Sequence, residues 1–197
     1  MWDRFAAALD EPALARAWRD AQPFPHVVLD GAVAPAELMT ILDEESVDRY
    51  EADLFVFDAT PPEPATSEFR ALRDAFARAL APPLSRITGK RVSTVDMRAF
   101  AYRVGHYLLP HSDHRDGLER ALAYAYYLPS PEPPVGGELE LFRCAIEADE
   151  LVAIDSAKLV EPHGHRLVVF DVSAVSLHQV REVLGGLHLS LAGWFYR

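Results

Sequence analysis

Cysteine is nearly absent: Cys144 is the single one in 197 residues. One thiol cannot close a disulfide within the chain, so packing must hold the fold, and the composition suits a reducing cytosol. Nothing near Cys144 suggests an activated thiol, and such a residue is ordinarily a small apolar one. Long apolar runs are missing too. No stretch approaches the roughly 20 apolar residues that span a bilayer, which argues against a membrane partner. The opening MWDRFAAALDEP carries Asp3 and no apolar run, which argues against a signal peptide and for a cytoplasmic location. Positive charge is in deficit: 19 Lys and Arg face 30 Asp and Glu, for a formal net charge of −11. An acidic surface repels phosphate backbones, so nucleic acid is a poor partner, although a local positive pocket is compatible with it. There is no Gly-x-Ser-x-Gly elbow for a hydrolase serine and no Gly-x-x-x-x-Gly-Lys phosphate loop.

Half of the residues are hydrophobic and a quarter charged, which fits one packed domain over residues 1–197. The first part, to about residue 90, reads as helical support. Trp2, Phe5, Leu9, Leu14 and Trp18 recur at near-helical spacing, with a break at Glu11-Pro12. Val27, Val28 and Leu29 make a short strand between Pro25 and Gly31. Ala34-Pro35 opens a helix through about Leu42, and Leu54 to Phe57 reads as another strand. Ser67 is the expected N-cap of a helix to about Leu80, with Phe69, Leu72, Phe76 and Leu80 on one face. From about residue 91 the character changes to strand-like runs separated by Gly and Pro: VSTVDMRAFAYRV, ALAYAYYL, GELELFR, LVAID, RLVVFDV and HLSLAGWFYR. Helices followed by many short strands predict an α+β domain with a sandwich, barrel or jelly-roll core. The proline-rich segments ATPPEPATS and PSPEPPVGG are surface loops and candidate lids.

Chemistry enters at Pro110-His111-Ser112-Asp113. In a strand, residues two apart share a face, so an extended His-x-Asp aims an imidazole and a carboxylate into one cavity. A second histidine would complete the facial triad that non-haem Fe(II) oxygenases use. His178 is the candidate, with an ordinary loop histidine as its alternative reading. Downstream, Gly185-Gly186 is a hairpin signal. In the following run His188, Ser190, Ala192 and Trp194 share one face and Leu187, Leu189 and Leu191 the other. The leucine face is expected to meet the helices and the mixed face to line a cavity. His163-Gly164-His165 has metal-like spacing but sits in a turn and lacks further ligands.

Residues from about Arg98 to Trp194 resemble the catalytic domain of prolyl 4-hydroxylase-like 2-oxoglutarate/Fe(II) oxygenases. The matching pieces are Tyr102-x-x-Gly105 before His111-x-Asp113; Arg120 ahead of Tyr126-Tyr127-Leu128; Gly136-Gly137-Glu138-Leu139; Pro162-x-Gly164 before Leu167 to Phe170; and His178-x-Val180 followed by Gly186, Ser190 and Trp194. PFPHVVLDGAV resembles the opening segment of small microbial members. The resemblance implies a double-stranded β-helix with Fe(II) at His111, Asp113 and His178, and 2-oxoglutarate as co-substrate. It also implies O₂ as oxidant, ascorbate as an accessory cofactor, and an amino acid, peptidyl residue or small natural product as substrate. A carboxylate at Asp113 fills the position that halogenases of the superfamily leave open for halide, which favours hydroxylation.

One position departs from the family pattern. Ten residues beyond the distal histidine, where a Lys or Arg usually pairs with the far carboxylate of 2-oxoglutarate, this chain has His188. His188 with the Tyr102 and Ser190 hydroxyls is one candidate grip. Arg98, four residues before Tyr102 and on the same face, is another, its alternative being an exposed strand arginine. A metal enzyme of cupin type that does not use 2-oxoglutarate, and a non-catalytic binding relative of the fold, are the competing functions.

Overall fold

The computed structural model describes residues 2–147 and 150–197. Its longest helix shows how the chain divides its labour. Helix α4 (Ser67–Thr88) buries Phe69, Leu72, Phe76, Leu80, Leu84 and Ile87 along one stripe. Its cap is Thr66, not Ser67: the Thr66 hydroxyl accepts the Phe69 N–H at 3.2 Å. Glu45 fixes that cap by accepting the Ala65 and Thr66 amides at 2.9 and 2.8 Å. The helix also runs past the expected stop near Leu80, through Pro82 and Pro83. An interior proline costs about 3 kcal/mol. Leu84 and Ile87, 0% and 2% exposed, lie beyond them, and burial of about 1.5–3 kcal/mol for each side chain offsets the cost. Helices α1 (Trp2–Ala7) and α2 (Glu11–Asp20) pack against α4. The break between them lies at residues 8–10, just ahead of the expected Glu11-Pro12, which instead opens α2, with the Asp10 carboxylate accepting the Ala13 N–H at 3.0 Å. Helix α3 (Leu38–Asp43) starts later than Ala34-Pro35, because Pro35 instead closes a turn onto the Leu38 amide.

The strands are β1 (His26–Leu29), β2 (Asp48–Ala52), β3 (Phe55–Ala59), β4 (Thr94–Val95), β5 (Arg98–Tyr102), β6 (Tyr107–His111) and β7 (Arg120–Tyr127), followed by β8 (Val135–Gly136), β9 (Leu139–Glu147), β10 (Glu150–Val160), β11 (Arg166–Asp171), β12 (His178–Val180), β13 (Val183–Gly185) and β14 (His188–Tyr196). Twelve of them form one curled antiparallel sheet, in the order β1-β11-β7-β14-β5-β3-β6-β12-β9-β10, with β2 on β3 and β4 on β14. This is a double-stranded β-helix with helices on one face. Three strands come from the first ninety residues, so that segment is not purely helical support. The Gly185-Gly186 hairpin does not form: β13 pairs with β8 in a separate ribbon, while β14 pairs with β5 and β7. Two glycines give a turn but no pairing partner, and the apolar face of β14 selects the helix-covered sheet. Leu191 is fully buried there beside Phe76, Leu80 and Phe195. Among the described residues, no helix is long and apolar enough to cross a membrane.

Candidate active site

The opposite face of the curled sheet encloses a cavity of about 410 Å³. His111, Asp113 and His178 converge on it, with ligand atoms all within 4.8 Å of one another. Two registers bring them together. In the β6–β12 ladder His178 pairs directly with His111, which sets their ring centroids 4.3 Å apart. Asp113 arrives differently from the expected strand parity, because β6 ends at His111. The Ser112 hydroxyl donates to the Ser173 carbonyl at 2.7 Å and accepts the His114 amide at 3.1 Å. That turn delivers the Asp113 carboxylate inward, 3.8 Å from His111 Nε2 and 3.5 Å from His178 Nε2.

Each imidazole is oriented from behind. His111 Nδ1 donates to the Leu109 carbonyl at 2.9 Å, and His178 Nδ1 to the Ser176 carbonyl at 3.1 Å. A carbonyl only accepts, so Nδ1 carries the proton and the Nε2 lone pair faces the cavity. Burial lowers the His178 pKa; Asp113 opposes this and His111 adds to it. Metal–ligand bonds of about 2.1 Å at right angles set donor atoms about 3 Å apart. The observed separations need only slight closure, so two neutral imidazoles and one carboxylate fit a divalent ion with open positions.

On the facing wall, β14 lies between β5 and β7. Its register pairs His188 with Tyr102, Ser190 with Phe100 and Tyr127, and Ala192 with Arg98. His188, Ser190, Ala192 and Trp194 all line the cavity, as their shared parity implies. The His188 ring sits 5.1 Å from Tyr102 and 5.3 Å from Tyr127. Its pKa is lowered to about 4 by burial, against a small opposing effect of the nearby Gly137 backbone. Arg98 lines the same cavity from four residues along β5, its guanidinium 5.3 Å from the Phe100 ring and near enough to influence Tyr102. Its Nε donates to the Thr60 carbonyl at 2.7 Å, and its guanidinium lies over Tyr50 at 4.7 Å. The structure brings His188, Tyr102 and Ser190 together and sets Arg98 on the same cavity farther along β5, with its Nη2 buried and unpaired.

Other lining residues were not singled out from the sequence as site residues. Tyr127 meets His188, and parity within ALAYAYYL could have exposed it only with the β7–β14 register known. Arg120 stacks on Trp194 with 3.4 Å to the ring centroid, and its guanidinium donates to the Asp113 carbonyl at 3.2 Å. Leu54, Phe55 and Phe57, at and after the β2–β3 turn, form an apolar rim. Among the described residues, neither proline-rich segment lines the cavity: Thr60 is pinned to β5, and Gly137 sits behind His188. The two histidines of the 163–165 turn do not converge with other ligands: His165, at φ 66°, pairs with the Tyr126 hydroxyl at 3.3 Å.

A jelly-roll cavity with a His-x-Asp and a distal histidine at one end defines a non-haem iron oxygenase class. Comparison agrees: residues 97–196 match the model of the 2OG-Fe(II) oxygenase superfamily, and the chain belongs to that family. It is 35% identical over 191 residues to mouse "Prolyl 3-hydroxylase OGFOD1", covering 90% of this chain and 33% of that protein. The chain thus spans about a third of the length of the curated relatives it matches. Among solved structures it resembles a Pseudomonas putida prolyl-4-hydroxylase (TM-score 0.67, 23% identity, 93% of this chain and 98% of that one). It also resembles a 2OG-Fe(II) oxygenase-family oxidoreductase from Burkholderia pseudomallei (TM-score 0.72, 12% identity, 96% and 92%).

Proposed function

We propose that this chain is an Fe(II)- and 2-oxoglutarate-dependent hydroxylase of peptidyl proline, with His111, Asp113 and His178 holding the iron. The observation that carries this is the convergence of those three ligand atoms within 4.8 Å, with both histidines held in the metal-ready tautomer. When bound, iron and 2-oxoglutarate supply the oxidising chemistry that turns a substrate C–H into C–OH, with succinate and CO₂ as co-products. The chain supplies position and exclusion of water. Burial keeps His178 neutral and ready to ligate. Phe170 packs edge-on against it at 4.6 Å, giving that imidazole an apolar side.

The substrate class rests on the relatives named above as prolyl hydroxylases and on the rim. Leu54, Phe55, Phe57 and Trp194 offer apolar and aromatic surface to a pyrrolidine ring. Arg98, Arg115 and Arg120 against Asp96 and Asp113 give the cavity a positive excess within an acidic protein. The test is a survey of proline-containing peptides with Fe(II), 2-oxoglutarate and ascorbate in air, read by mass spectrometry. A one-oxygen mass gain on proline, with matching succinate, is expected. Succinate release with oxygen on another residue would move the substrate class. Absence of any iron-dependent turnover, even uncoupled, would remove the hydroxylase assignment.

His188 in place of a permanent cation favours a second reading, a metal enzyme of this fold that does without 2-oxoglutarate. A visible charge-transfer band on adding 2-oxoglutarate to the anaerobic Fe(II) protein excludes that reading.

A further inference from the structure

We propose that His188 is the anchor for the second carboxylate of the co-substrate and takes up a proton as the dicarboxylate binds, so that 2-oxoglutarate binding to this chain is proton-linked. This rests on the co-substrate assignment above and adds what grips the far end of that molecule and what the grip requires.

His188 is 2% exposed; the Gly137 backbone lies near enough to favour its protonated form, but neither Nδ1 nor Nε2 makes a hydrogen bond of good geometry. A buried polar group is ordinarily paired, and an orphaned one on a cavity wall points to a missing ligand. The groups facing it come from every neighbouring element. Tyr102 approaches from β5 and Tyr127 from β7, while Ser190 lies one pleat along β14. Gly137 closes from behind, with φ +72° and room so small that a Cβ there would lie 3.0 Å from His188 Nδ1. Val183 of β13 meets that same glycine, and Leu139 and Val180 line the cavity from β9 and β12. None of these is a cation or a carboxylate. Burial pushes both tyrosine hydroxyls far above their usual range, so they remain neutral donors. Two guanidinium groups influence these tyrosines: Arg166 donates to Asp30 and Arg98 Nε to the Thr60 carbonyl, each at 2.7 Å, while Arg98 Nη2 is buried without a partner farther along the cavity, over Tyr50 and Phe100.

A carboxylate brought against His188 leaves water and meets the neutral Tyr102, Tyr127 and Ser190 hydroxyls, with Arg98 the nearest permanent cation on the cavity wall. Burying an unpaired charge is costly, and a titrating group responds by changing its protonation. In the free protein burial holds His188 neutral, its pKa near 4. A carboxylate beside it favours the imidazolium and raises that pKa. The proton comes from solvent and settles on the ring nitrogen facing away from or toward the carboxylate; no bond to carbon changes. Between about pH 4 and the bound-state pKa, affinity for 2-oxoglutarate then falls about tenfold per pH unit. A family member with arginine in this place has no such dependence, because arginine is always charged.

The test is anaerobic calorimetry of 2-oxoglutarate binding to the Fe(II)-loaded chain, in two buffers of different ionisation heat and across a range of pH. Uptake approaching one proton per 2-oxoglutarate is expected, with affinity falling as pH rises. A 2-oxo acid without a second carboxylate, 2-oxobutyrate, should bind with no uptake. H188Q should bind 2-oxoglutarate more weakly and without uptake, and H188R more tightly and without pH dependence. Binding with no proton uptake by the unaltered chain overturns the proposal, as does uptake that persists in H188Q. The charge-transfer band separates this from the parent assignment: a band without proton uptake removes only the role of His188, whereas no band and no heat removes 2-oxoglutarate as co-substrate and the proposal with it.

Discussion

Acid should destabilise this protein through His188, and the size follows from its burial. The folded-state pKa is lowered from 6.5 to about 4. As pH falls, the unfolded chain takes the proton first. The stability that comes from keeping the ring neutral is whole above the unfolded value, drains away through the window between the two pKa values, and levels off below the folded one. The full window amounts to about 3 kcal/mol, most of it lost between about pH 7.5 and about pH 4.5. Against a typical stability of 5–15 kcal/mol that is a large share. H188Q removes the titration and, at neutral pH, removes no hydrogen bond of good geometry. His178, whose pKa burial also lowers, titrates in both proteins and cancels in the comparison. Urea unfolding of metal-free unaltered and H188Q protein across this range should give stability curves that diverge in acid, with the unaltered chain losing about 2–3 kcal/mol more. Curves that stay parallel within about 0.5 kcal/mol would refute the reasoning.

Other perturbations test the packing and the site. Phe76→Ala deletes a fully buried ring held edge-on by Trp2 at 5.1 Å and against Tyr124 at 5.0 Å; urea midpoints should report a loss of about 3–5 kcal/mol. Gly137→Ala forces a left-handed residue and sets a Cβ 2.9 Å from Val183 Cγ2. It should cost about 1–3 kcal/mol and weaken 2-oxoglutarate binding in the same calorimeter. Arg120→Met keeps the stem but removes the stack on Trp194 and the bond to the Asp113 carbonyl. Stability should fall by about 1–2 kcal/mol, and competition with a chelator should show metal held at least about tenfold more weakly.

Much of this was legible in residue order, for identifiable reasons. The parity of His188, Ser190, Ala192 and Trp194 against Leu187, Leu189 and Leu191 places each set on its face, because a β-strand repeats every two residues and one face meets a helix. His111 and His178 could be nominated as a pair, but only the β6–β12 register sets them side by side. Asp113 points inward for a reason the parity argument missed: a serine-anchored turn, which depends on the Ser173 carbonyl sixty residues away. The ends of α4 were misjudged for similar reasons. Proline is a strong local stop signal, and the burial of Leu84 and Ile87 that overrides it is a tertiary effect. Shared parity puts Arg98 and His188 on one cavity but does not reveal that the Thr60 carbonyl holds Arg98 Nε. Gly185-Gly186 carries a turn signal, but pairing across a turn depends on which sheet covers the leucines of β14.

The central claim is that one ion is held by three named side chains. Crystals grown anaerobically with Fe(II), measured at the iron absorption edge, test it directly. A single anomalous peak per chain is predicted, within about 2.3 Å of His111 Nε2, His178 Nε2 and an Asp113 carboxylate oxygen. A cavity without that peak under saturating iron, or a peak bound by other residues, would contradict the account.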